Sequence, residues 1–281
     1  MSGKKAALVF SGGALRGFSQ IGAYKKIKEF LDREGITIDT VVGTSFGSIT
    51  ATLIALGYSP DEMEGISREN GLKLANFRDL KVTGSGLLKG EYLRDRLKNS
   101  IGDKTFDDTL LELDITAVDI RTGTECLFNR RGIEVFHEEE KIIDRKIPLI
   151  DAIRASTAIP ALFEPVRLHG KLWVDGGLIN PIALNTINFD EYDTVIAVDV
   201  CMGNFDFIGD TETPNKIQMI QQSISITQRQ FIYSRLGKYM REHPNLRLIK
   251  PNVGPVNPRK KGEMDRIIQS GYDEAEKILF N

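Results

Sequence analysis

Apolar residues first run unbroken over positions 6–10, Ala6-Ala7-Leu8-Val9-Phe10, and stop at a glycine-rich turn. Hydrophobicity that is continuous rather than alternating marks a strand covered on both faces, as the central strands of a parallel sheet are. Ile21, Tyr24, Ile27 and Leu31 then recur at helical spacing with lysines between them, and Gly35 supplies a C-terminal stop. Residues 40–42 predict the next strand, and the small and apolar residues from Ile49 to Leu56 predict a helix packed behind it. Two strand–turn–helix units in succession predict an α/β fold of three layers, with helices on both faces of a mainly parallel central sheet.

Farther along, Ser59-Pro60-Asp61-Glu62 is a helix start, with Ser59 as cap, Pro60 in the first turn and Glu62 closing a capping box. Scattered glycines and basic residues over 70–89 predict short helices and loops on the binding edge, followed by a helix over 90–101 with Tyr92, Leu93, Leu97 and Ile101 on one side. Strands are expected over 113–120 and 125–128 around a hairpin turn at 121–124. A helix over 148–156 ends before Pro160, because proline disfavours helix in the residue it follows. A strand pair over 163–168 and 171–174 would turn at His169-Gly170. The remainder predicts a strand over 194–200, a long helix over 215–240, a last strand over 246–250 and a closing helix over 262–280. Phe205 and Phe207 fall in a loop that either packs on the long helix or forms a lipid-facing rim. No repeat or linker divides residues 1–281, so one domain is expected, with its motifs between about 6 and 200.

Composition narrows the partners. A net charge of -2 gives no basic surplus, so no nucleic-acid partner is expected. Two cysteines, Cys126 and Cys201, make no disulfide framework and no zinc spacing, which fits a reducing cytoplasm. The first apolar run is too short for a signal-peptide core and no later run matches a membrane span, so contact with a bilayer would be peripheral. The run His137-Glu138-Glu139-Glu140 reads as a solvated face, and no metal or cofactor is expected.

The candidate chemistry lies at two turns. Gly43-Thr44-Ser45-Phe46-Gly47 has the Gly-x-Ser-x-Gly spacing where an apolar strand ends and a helix begins, the context of a nucleophile elbow. Taken alone, the same residues also suit an ordinary helix N-terminus. Ser11-Gly12-Gly13-Ala14-Leu15-Arg16-Gly17 gathers backbone N–H groups beside a helix start and suits an anion, either a bound phosphate or a developing oxyanion. The nucleotide alternative needs an acid at the end of the next strand, and none is there. Adjacent parallel strands would bring both turns to one sheet edge, which favours an oxyanion hole serving Ser45. A serine needs a base. His137, His169 and His243 sit in an acidic run, a hairpin turn and beside Pro244, so Asp175, before Gly176-Gly177, is open as a direct base, with Asp199 ranked below it.

With these motifs in order, the chain resembles the patatin-like phospholipase family. The residues that carry the resemblance are 11–17, 43–47, Ala155-Ser156-Thr157-Ala158-Ile159-Pro160, and Asp175-Gly176-Gly177. The resemblance implies lipid acyl hydrolysis by a serine–aspartate dyad without histidine: Ser45 as nucleophile, Asp175 as base, and the backbone of Gly12, Gly13 and Ala14 as oxyanion hole. It implies phospholipid or lysophospholipid esters as substrates, with a general carboxylesterase or an acyltransferase as the variants. Ala14 stands where the family's loop has a third glycine. Arg16 either binds substrate phosphate or steadies the loop.

Overall fold

The computed structural model describes residues 3–70, 79–80, 85–136, 141–201 and 213–281. In chain order the elements are β1 (Lys4–Phe10), α1 (Ser19–Glu34), β2 (Ile36–Thr44), α2 (Phe46–Ala55), α3 (Pro60–Asn70), β3 (Gly86–Leu88), α4 (Glu91–Ile101), β4 (Glu112–Asp119), β5 (Thr124–Asn129), β6 (Gly132–Val135) and β7 (Lys141–Ile142). There follow α5 (Leu149–Ser156), β8 (Ala161–Phe163), β9 (Val166–Leu168), β10 (Lys171–Asp175), β11 (Thr194–Val198), α6 (Lys216–Glu242), β12 (Leu246–Ile249) and α7 (Glu263–Phe280).

The central sheet runs β12-β11-β1-β2-β4-β5-β6-β7. From β12 through β4 every pairing is parallel, and β5, β6 and β7 extend it antiparallel. Hydrophobic layers lie on both faces, which explains the unbroken apolar runs. Along β1, Ala6, Leu8 and Phe10 enter one core with α1, α2, α5 and α7, whereas Ala7 and Val9 enter the other with Ile232 and Leu236 of α6. Pairing of β1 with β2, Phe10 opposite Gly43, sets the two motif turns side by side at the carboxyl edge of the sheet, where open α/β sheets place their ligands.

Most sequence expectations match this frame. The capping box at Ser59 and Glu62 forms as expected, and Asn215 with Gln218 makes another at the start of α6. One pairing differs. The expected 163–168 strand is split at Pro165, which lacks an N–H for the ladder. Residues before it pair in parallel with β3, and only β9 makes the hairpin with β10 through His169-Gly170. The short strands β3, β6 and β7 have no counterpart in the expected pattern. The acidic run 137–140, the segment carrying Phe205 and Phe207, and much of the 70–89 stretch lie outside the described residues.

Candidate active site

The elbow is built from the end of β2 and the start of α2. Ser45 takes φ 54 and ψ -124, a left-handed conformation that costs a non-glycine residue roughly 1–3 kcal/mol and turns its side chain out of the sheet edge. Neighbours fix it there: its backbone N–H donates to Ser156 Oγ at 2.8 Å, and its carbonyl accepts from Ser48 Oγ at 2.6 Å. Thr44, the preceding residue, is tied to Asn180 O at 3.2 Å and to Thr116 Oγ1 at 2.9 Å.

Asp175 closes β10, which lies antiparallel to β4, and this carries it to the same edge 130 positions from the serine. Ser45 Oγ donates to Asp175 Oδ2 at 2.6 Å, and Gly177 N–H donates to Asp175 Oδ1 at 2.7 Å. Both side chains are buried. Burial outweighs the two hydrogen bonds and pushes the Asp175 carboxyl up from 3.8 to about 6. The aspartate is therefore a stronger base than an exposed one, yet still ionised at neutral pH.

The glycine-rich turn lies over this pair: a Cβ added to Gly12 would stand 3.1 Å from Ser45 Cβ. The N–H of Gly12 donates to Pro181 O at 2.9 Å, so Gly12 is not a free donor. Those of Gly13 and Ala14 have no acceptor among the described residues. Ala14 sits at φ 47, so its methyl carries the left-handed penalty of roughly 1–2 kcal/mol. Ala14→Gly is expected to raise stability by about 1 kcal/mol in urea unfolding. A loss of stability would show instead that the methyl has compensating contacts.

A family model described as patatin-like phospholipase matches residues 8–186, more than half of the chain. The chain belongs to the patatin-like phospholipase family. It is 26% identical over 302 residues to an uncharacterised NTE family protein of Mycobacterium tuberculosis, covering 99% of this chain and 47% of that protein. It is 30% identical over 215 residues to the uncharacterised YqhO of Bacillus subtilis, covering 68% of this chain and 69% of that one. The chain thus spans about half the length of its mycobacterial relative. Among solved structures, VipD from Legionella pneumophila superposes with a TM-score of 0.51 at 15% identity, over 99% of this chain and 67% of that one, a likeness of fold.

In this patatin-like chain these groups share one pocket that opens to solvent. Ser45, Asp175, Gly12, Gly13 and Ala14 all line it, with apolar walls from Ile159, Pro160, Leu162, Leu178 and Ile224. Arg16 does not line it. Its side chain is buried, and burial lowers its basicity. Asp199 is turned away, with Oδ1 accepting from Cys201 N–H. His169 contacts Asp144 at 2.9 Å and His243 stacks on Phe189 at 3.8 Å, so neither belongs to the pocket. Ser156, Gln221 and Gln228 have no assigned role in the sequence expectations. Ser156 stands inside the third motif, which was a signal, whereas glutamines on a helix carry none. No helix among the described residues is long and apolar enough to cross a membrane.

Proposed function

We propose that the chain is a serine acyl hydrolase that cleaves carboxylic ester bonds of phospholipids or lysophospholipids. The observation that carries this is the 2.6 Å Ser45–Asp175 hydrogen bond in a largely apolar pocket that also holds two main-chain N–H groups without acceptors among the described residues. Ser45 Oγ attacks the acyl carbonyl carbon while its proton passes to Asp175 Oδ2. The N–H groups of Gly13 and Ala14 hold the oxyanion, each donor lowering the barrier by roughly 3–4 kcal/mol. Collapse of the tetrahedral species breaks the ester C–O bond, and Asp175 returns the proton to the departing alkoxide. A water deprotonated by the same aspartate then attacks the acyl carbonyl, the acyl–Oγ bond breaks to release the fatty acid, and Asp175 returns the proton to Ser45 Oγ.

Fatty-acid release from a panel of diacyl phospholipid, lysophospholipid and p-nitrophenyl esters tests the proposal. Turnover of the lipids is expected. Tight nicotinamide nucleotide binding with no ester turnover would overturn it in favour of the nucleotide alternative.

The base must be ionised to work. With a folded-state pKa raised to about 6, kcat/KM is expected to climb with pH along an acid limb centred near 6 and to level off above it. A soluble p-nitrophenyl ester followed from acid to mild alkali reads this directly. A limb centred at the ordinary carboxylate value would argue against a buried aspartate base.

A further inference from the structure

Among the described residues, every polar side chain that lines the pocket has a partner except one. Ser45 is bonded to Asp175, Cys201 Sγ donates to Gly12 O at 2.7 Å, and Gln228 Nε2 donates to Gly177 O at 2.5 Å. Gln221 differs: its Nε2 is fully buried and has no hydrogen-bond partner among the described residues. Gln221, Ile224 and Gln228 stand at i, i+3 and i+7 on α6, so one face of that helix is turned to the pocket. A buried amide without an acceptor is costly to keep, and groups in that state call for an explanation such as a ligand that completes them.

The chemistry of the wall says what kind of oxygen would do so. No lysine or arginine lines the pocket among the described residues, so a phosphate drawn into it would lie beside Asp175 without a cation. A neutral acceptor costs far less to bury. We infer that Gln221 is a substrate-contacting residue whose side-chain amide turns from this shielded position to donate an N–H to an uncharged oxygen next to the scissile ester, either a hydroxyl or a second ester carbonyl. On this basis the enzyme selects acyl esters whose alcohol part carries such an oxygen, and any phosphate stays outside the pocket. The inference rests on the ester-hydrolase proposal, and binding separates the two.

Affinity is measured calorimetrically in a Ser45→Ala background, where turnover cannot interfere. The probes are matched decanoate esters: 2-hydroxyethyl against propyl, and 2-acetoxyethyl against hexyl. Gln221→Met, of similar size, is expected to weaken the oxygen-bearing esters by about tenfold or more while the apolar esters change by less than about twofold. Gln221→Glu then identifies the source: a carboxylate still accepts from a hydroxyl but cannot donate to a carbonyl, so only a carbonyl contact is lost. Equal affinities with and without the amide for both pairs overturn the inference. Wild-type turnover of the propyl ester is scored separately, and its absence would count against the hydrolase proposal without touching the binding result.

Discussion

Asp175→Asn is expected to cut ester turnover by roughly 10,000-fold and, above the pKa of the native aspartate, to make the fold more stable. Both effects come from one fact, the burial of this carboxyl against Ser45 Oγ and Gly177 N–H. The amide cannot take the serine proton, so the attack loses its base, and Ser45→Ala loses the nucleophile to similar effect. The stability term has the opposite sign. A carboxyl raised from 3.8 to about 6 favours the folded state while protonated, and that contribution fades as pH rises through about 6. The uncharged amide keeps it. At mild alkaline pH the variant is therefore expected to gain about 3 kcal/mol over the native chain, two pKa units at 1.36 kcal/mol each, and the gap closes near pH 4. Urea unfolding at the two pH values checks this. An inactive variant that is destabilised at both would mean the aspartate is a structural strut.

Gly47→Ala is expected to be the most damaging single methyl in the elbow. A Cβ there would fall 2.2 Å from Phe10 O and 2.7 Å from Ser11 O, both main-chain atoms of the strand and loop that α2 packs upon. Backbone cannot rotate aside as a side chain does. The first turn of α2 would have to lift from β1, carrying Ser45 away from the glycine-rich loop. A loss of about 3 kcal/mol or more is expected in urea unfolding, with turnover lost in whatever remains folded. A variant within about 1 kcal/mol of the native chain would show that the junction is looser than its distances indicate.

The same geometry explains what the sequence revealed. Positions 6–10 and 40–42 were legible because strands packed on both faces leave no polar alternation to confuse with helix. Ser45 was legible because its strained turn requires glycines at fixed offsets, and those offsets are local. The pairing of Ser45 with Asp175 spans 130 positions and followed from topology and from the poor placement of the histidines. Less was visible where the deciding contact is distant and main-chain. Gly12 is withdrawn from the expected donor set by Pro181 O, 169 positions away, and nothing in the loop's composition announces that bond. The split of the 163–168 strand turns on Pro165, whose effect on pairing depends on the presence of β3. Short edge strands such as β6 and β7 lack the length that makes alternation readable. Gln221 looks like any solvated helix residue until α6 is placed over the pocket.

Reaction of the protein with a fluorophosphonate, followed by peptide mapping in the native chain and in Asp175→Asn, tests the central claim most directly. The predicted result is a single adduct on Ser45, formed far more slowly when residue 175 is asparagine. An adduct on another residue, or labelling of Ser45 at an unchanged rate in Asp175→Asn, would contradict a serine activated by this aspartate.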